Sequence, residues 1–142
     1  MKTIGKDARE LMAAVQAVLT PDLLSKGRDY DPSNPTMGHC YVAAEALYHL
    51  ILEYAPDCKP RPQVARDVDG DTHWWLLVFD ADNKGWIIDP TEDQYRSQGE
   101  KPPYLFGRGR GFLTKEPSKR ARKVIHRAHS ALTPVGRTLS SY

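Results

Sequence analysis

The 142-residue sequence predicts an α+β domain, with helices toward both ends and a small antiparallel sheet between them. Three observations carry this. Residues 40–54 repeat apolar side chains at 43, 47, 50 and 54 and again at 42, 46 and 51, which is helical spacing. THWWLLVF at 72–79 is the most apolar run in the chain, and both its faces are apolar, as in a central strand. GWIID at 85–89 follows a short polar loop, DADNK, and reads as the second strand of a hairpin.

The elements follow in order. KDARELMAAVQAVL at 6–19 is an amphipathic helix with Leu11, Ala14, Val15, Val18 and Leu19 on its apolar stripe. Thr20-Pro21 ends it, because the residue before a proline avoids helical geometry. Residues 21–38 are rich in Pro, Asp, Ser and Gly and read as an ordered loop with one short helix at 21–26. The helix over 40–54 stops before Pro56, and CKPRP connects it to a strand at 62–67. Asp69-Gly70 is a turn. Pro90 ends the second hairpin strand, and residues 91–106 are turn and loop with a short helix near 92–96. GRGRG at 107–111 reads as a flexible glycine-arginine loop. The final helix starts after Ser118 and runs to about Leu132, with Val124, Ile125, Ala128 and Leu132 as its docking stripe. Residues 1–132 are thus expected to form one domain, and 133–142, without periodic signal, a tail.

Composition bounds the function classes. A hydrophobic share of 40% with 27% charged residues excludes wholesale disorder. No apolar run approaches the ~18 residues of a membrane span. MKTIGKDARE lacks the apolar core of a signal peptide. The expectation is a cytoplasmic protein without a membrane partner. The net charge of +2 hides a split. Residues 1–100 hold ten basic and seventeen acidic side chains, a net of −7, whereas 101–142 hold ten basic and one acidic, a net of +9. Such a dipolar chain implies an anionic partner or an internal contact for its C-terminal third.

Two cysteines do not make a disulfide scaffold. A helix over 40–54 separates its ends by about 20 Å, and bridged Cα atoms lie within roughly 7 Å. Cys40 and Cys58 are therefore expected to be unbridged. Neither CxxC nor HxxxH spacing appears, so no metal site is expected.

Three segments each place one reactive side chain at a structural boundary: GHCYVAAEALYHL at 38–50, THWWLLV at 72–78 and GWIIDPT at 85–91. Cys40 falls in the first turn of a helix, where unpaired N–H groups and the positive end of the dipole favour a thiolate. His73 opens the buried strand, and Asp89 closes the next one, held by Pro90. A nucleophilic cysteine needs a base, and the base needs an acid to fix its tautomer. Hairpin geometry can bring the last two together. With a five-residue loop from Asp80 to Lys84, Phe79 pairs with Gly85, and His73, Trp75, Leu77, Phe79, Ile87 and Asp89 share one face. His73 and Asp89 are then diagonal neighbours, roughly 7–8 Å apart at Cα. A six-residue loop would put them on opposite faces. Cys40 shares a helical stripe with Ala43, Leu47, Leu50 and Tyr54, and that stripe is expected to pack on the His/Asp face.

Gly38-His39-Cys40 at a helix start, His73-Trp74-Trp75 opening a strand and Asp89-Pro90-Thr91 closing one resemble the transglutaminase-like branch of the papain-like fold. The resemblance implies a papain-like core, with the nucleophile helix packed on a small antiparallel sheet. It also implies an acyl-transfer chemistry in which Cys40 is the nucleophile, His73 the base and Asp89 the orienting acid, with no cofactor. That family often carries HAW, and Trp74 departs from it. By analogy with papain-like enzymes, Asn34, six residues upstream of Cys40, supplies an oxyanion donor beside the Cys40 N–H. His39, Trp74, Arg108 and Arg110 are the expected substrate contacts. Residues 38–50 with GRGRGFLTKEPSKRA also resemble small uncharacterised phage and bacterial proteins, a likeness that brings no activity.

The expected function is a thiol hydrolase, a peptidase, isopeptidase or amidase, acting on a peptide, a protein or a small acylated molecule. An anionic substrate fits the basic C-terminal third. The alternative is a nucleic-acid- or nucleotide-binding module, with the same basic third as its surface and Cys40 as a structural cysteine. Tyr95, Tyr104 and Phe106 follow the acid and are read as a packed loop, with the wall of a substrate groove as the alternative, His49 as structural, and His126 and His129 as facing solvent.

Overall fold

The computed structural model describes residues 4–23 and 39–132. Four helices and one four-stranded antiparallel sheet make an α+β arrangement among these residues. The expected oxyanion residue Asn34, most of the 21–38 loop and the 133–142 tail lie outside the described residues.

Helix α1 spans Ile4–Ala17 and is followed by a 3-10 turn at Pro21–Leu23. Helix α2 spans Cys40–Tyr54, the bounds its periodicity predicts, and nine of its fifteen residues are buried. A helix apolar all round has to be buried on most sides, and α2 packs against α1, the sheet and a last helix, α4, at Lys119–Leu132. The α4 stripe docks as expected, with Ala121, Val124 and Ala128 buried and Ile125 and Leu132 packed against them. Buried Glu45 ties the two helices together. One of its carboxylate oxygens accepts the Ser118 N–H and the other the Ser118 hydroxyl, both at 2.7 Å. Ser118 in turn accepts the Ala121 N–H at 3.3 Å, capping α4.

Strands β1 (Arg61–Arg66), β2 (Thr72–Phe79), β3 (Gly85–Ile88) and β4 (Arg108–Gly109) lie in the order β3-β2-β1-β4. A one-turn helix, α3, spans Asp93–Arg96 between β3 and β4. Phe79 pairs with Gly85 and Leu76 with Ile88, the register that the five-residue loop predicts. Asp80 fixes that loop. Its Oδ1 accepts the N–H groups of Asp82 and Lys84 at 2.9 Å, and its Oδ2 accepts the Trp86 indole N–H at 3.1 Å. Asn83 takes the left-handed conformation there, at φ 63°.

Two expectations are corrected. GRGRG is not wholly loop: Arg108 and Gly109 pair with Val64 and Gln63, and the Arg110 N–H reaches the Pro62 carbonyl at 3.2 Å. The segment covers an edge of β1 that would otherwise leave backbone groups open. Helix α2 also packs on the other face of the sheet from the one expected. Trp74 and Val64 pack with Cys40 and Ala44, and Leu76, Val78 and Ile88 join Leu47 and Ile51 in the main core. By strand alternation, His73, Trp75 and Asp89 point the opposite way.

Candidate active site

The site is built at the end of β2 where the two faces meet. Cys40 is the first residue of α2 and is 9% exposed. Its Sγ lies 3.5 Å from the carbonyl oxygen of Thr72, the first residue of β2. Thr72 adjoins His73, so the thiol stands at the strand end that carries the imidazole and acts on it, although α2 covers the opposite face. Cys40 and Cys58 are not bridged to each other, as the helix length requires.

His73 is fully buried. Its Nε2–H donates to Asp89 Oδ2 at 2.6 Å, so the diagonal pair predicted from the hairpin register is in direct contact. Asp89, one residue beyond β3, is 3% exposed and amply bonded. Its Oδ1 accepts the Thr91 N–H at 3.0 Å, and its Oδ2 accepts the Tyr104 hydroxyl at 2.8 Å. Next to it, the Pro90 carbonyl accepts the Gln16 amide at 3.1 Å, which fastens this strand end to α1. The other ring nitrogen, His73 Nδ1, is buried and has no hydrogen-bond partner. Burial opposes a charge on His73, but the Asp89 hydrogen bond, the nearby Cys40 side chain and the Asp89 charge outweigh it and push the imidazole up to about 9.

An aromatic cage holds the ring. Trp75 stacks on His73 with centroids 5.6 Å apart, and Tyr95 meets it edge-on at 4.8 Å. Tyr95 is fixed at its far end by donating to Asp67 Oδ2 at 2.8 Å. Tyr104 packs on Trp75 at 5.1 Å while its hydroxyl holds Asp89. Burial, reinforced by the adjacent carboxylates, raises both phenols above their ordinary range and keeps them as donors. Gly107 closes the cage: a Cβ there would sit 2.4 Å from Trp75 Cζ2, so no larger residue fits without displacing the indole. The packed-loop reading holds for Tyr95 and Tyr104 but not for Phe106, which is exposed on the wall of a cleft; the sequence signal for the two tyrosines is the DPT segment just upstream.

No protein-family model, curated protein or solved structure matches this chain.

The remaining expected contacts divide. His39 was expected to face substrate but is fully buried, and its Nε2–H donates to the Thr20 carbonyl at 2.9 Å. It ties the turn after α1 to the start of α2 and so sets where Cys40 stands. Trp74 is likewise packed inside rather than lining a cleft, edge-on to Tyr41 at 5.0 Å and stacked on Phe112 at 5.5 Å. Arg108 and Arg110 are exposed on the wall of a small cleft beside Thr72. His129 does not simply face solvent: it is half-buried and pairs with Glu53 at 2.8 Å. His49 is half-buried too, and burial pulls its imidazole below the ordinary value. Among the described residues no three His, Cys, Asp or Glu side chains gather as metal ligands do, and no helix is long and apolar enough to cross a membrane.

Proposed function

We propose that the protein is a cysteine-dependent acyl-transfer enzyme, acting as a hydrolase, with a papain-like arrangement of Cys40, His73 and Asp89. One observation carries the reading: a fully buried histidine bonded through Nε2 to a buried carboxylate, with its Nδ1 free of other partners and the Cys40 side chain acting on the same ring. A buried ring nitrogen without a partner costs about 1–3 kcal/mol. His39 Nδ1 and His49 Nε2 are unpartnered as well; His73 differs from them in having a buried carboxylate on one side and Cys40 acting on the same ring, the two neighbours a general base for a thiol needs.

Cys40 Sγ attacks the carbonyl carbon of an amide, ester or related acyl group, and its proton passes to His73. The backbone N–H groups of the first turn of α2 have no partners within the helix and face the developing oxyanion. The C–N or C–O bond breaks as His73 returns the proton to the leaving group, leaving a thioester on Cys40. Water then attacks the thioester, His73 takes its proton, and the acid product leaves with the thiol restored. Asp89 holds the ring in one tautomer and stabilises the imidazolium, and Tyr104 and Thr91 hold Asp89. The order of the GHC, HWW and DPT segments along the chain supports the same assignment.

The alternative of a nucleic-acid module rests on the basic C-terminal third. Part of that charge is engaged internally, because Arg127 donates to Asp22 at 2.9 Å and Lys123 lies 3.9 Å from the same carboxylate.

The test is acylation by p-nitrophenyl acetate, followed by intact and peptide mass spectrometry after acid quench. The wild-type protein is expected to carry an acetyl thioester on Cys40, and Cys40→Ala none. His73→Asn is expected to slow its formation by at least about 100-fold, the usual share of a general base. Equal acylation of wild type and His73→Asn, both checked for fold by circular dichroism, refutes the assignment.

A further inference from the structure

We propose that Arg108 and Arg110, with Arg66, form an anion subsite, so that the acyl compound attacked by Cys40 carries a carboxylate or phosphate a short spacer away from its reacting carbonyl. This names the substrate class of the site above and rests on the cysteine-enzyme reading.

A cleft of about 260 Å³ lies beside Thr72, with the three arginines and Phe106 among its walls. Thr72 is also the residue whose carbonyl meets Cys40 Sγ, so cleft and thiol share a border. Strand register places the arginines. Arg66 pairs with Thr72, and Arg108 pairs with Val64, which pairs with Trp74 next to His73. Val64 and Trp74 pack against Cys40. By alternation Thr72, Arg66 and Arg108 project to that same face, and Arg110, two residues on, returns to it. Two strand spacings separate β4 from β2, about 10 Å at Cα. An arginine extends over most of that distance, so its guanidinium comes within a few bonds of an acyl group seated on Cys40.

The charges are available. Arg127, Lys123 and Arg96 have carboxylate partners, and Arg61 and Lys84 lie over the rings of Phe79 and Trp86. Arg108 and Arg110 are exposed and make no ion pair among the described residues. Arg66 uses one nitrogen on the Gly70 carbonyl at 2.9 Å, which orients its fork and leaves the other donors open. In the nearest acidic turn Asp67 is engaged internally, accepting from Tyr95 and from the backbone N–H groups of Asp69 and Asp71, whose own exposed carboxylates make no ion pair with Arg66, Arg108 or Arg110 among the described residues. Guanidinium forks suit the paired oxygens of carboxylate and phosphate.

The test labels Cys40 with three chloroacetamides, in each of which sulfur displaces chloride as the S–C bond forms. They are N-chloroacetyl-γ-aminobutyrate, N-chloroacetyl-3-aminopropylphosphonate and the neutral N-chloroacetyl-γ-aminobutyramide. At least one anionic reagent is expected to label Cys40 saturably and about tenfold faster than the neutral one, the worth of one charge-assisted hydrogen bond. The better of the two identifies carboxylate or phosphate as the recognised group. In the Arg108→Gln/Arg110→Gln double variant the ratio of anionic to neutral labelling is expected to fall to about one. If wild type labels Cys40 in a His73-dependent manner but without preference for either anion, the subsite is refuted and the enzyme reading stands. If labelling by all three reagents is independent of His73, the enzyme reading fails and the subsite with it.

Discussion

The two faces of the sheet hold together by different physics. On one face Leu76, Val78 and Ile88 meet Leu47, Ile51 and Val124 in a core with few directional bonds. On the other, His73, Trp75, Asp89, Tyr95 and Tyr104 are joined by hydrogen bonds of 2.6–2.8 Å and by ring contacts of fixed angle. Apolar burial is roughly proportional to area and indifferent to direction. A hydrogen-bonded cluster loses most of its value when one partner turns away. The contrast teaches where precision is held in this molecule: the helix face supplies stability and the aromatic face supplies alignment.

The sharpest way to break the contrast is Asp89→Asn. Asparagine has one acceptor oxygen where Asp89 uses two, so with that oxygen held by the Thr91 N–H its NH2 group faces His73 and disfavours the same tautomer, and acetyl-thioester formation on Cys40 is expected to fall about 10³–10⁴-fold, the scale of tautomer loss in a catalytic triad. Stopped-flow release of p-nitrophenol measures it. Leu47→Ala is the matching lesion on the helix face. Leu47 is fully buried, so urea denaturation should show a loss of about 2–5 kcal/mol. The acylation rate per folded molecule should be unchanged, and a parallel collapse of both quantities would mean that the faces are not separable.

Alkaline titration separates the faces through the charge on His73. The folded pKa of His73, about 9, stands above the ordinary 6.5. Its contribution to stability is therefore full below about pH 6.5 and is lost as pH rises through about 9. The urea midpoint should decline across that window in wild type and stay flatter in Asp89→Asn, which lacks the main partner holding the proton. Smallest is Tyr104→Phe. Asp89 keeps its bonds to His73 and Thr91, so the loss of one donor should slow acylation only about five- to tenfold. An effect as large as that of Asp89→Asn would move Tyr104 from positioning residue to participant.

Periodicity and hairpin arithmetic made the alignment face partly legible in advance. Helix α2 has the bounds its apolar spacing implies, and the odd loop from Asp80 to Lys84 puts His73 and Asp89 on one face by register alone. The face on which α2 lies was not legible, for a definite reason: THWWLLVF is apolar at every position after His73, so alternation offered no polar side to exclude. Tyr104 lies fifteen residues beyond Asp89 through irregular chain, where no repeat constrains the path. The Glu45–Ser118 bond spans 73 residues and joins two elements that each read correctly alone. Arg108 and Gly109 form a strand because β1 presents an open edge, a property of the neighbour rather than of GRGRG.

The buried Glu45 has a bearing on the order in which the molecule can be completed during synthesis. Among the described residues its donors are the two groups of Ser118, which follow it by 73 residues. At ~5–20 residues per second the ribosome needs about 4–15 s to cover that interval. Throughout it, a nascent chain that folded α2 into the sheet would enclose a carboxylate with nothing to bond. Early collapse around α2 is thereby penalised until Ser118 arrives, and the last helix acts as the latch that lets the central one close.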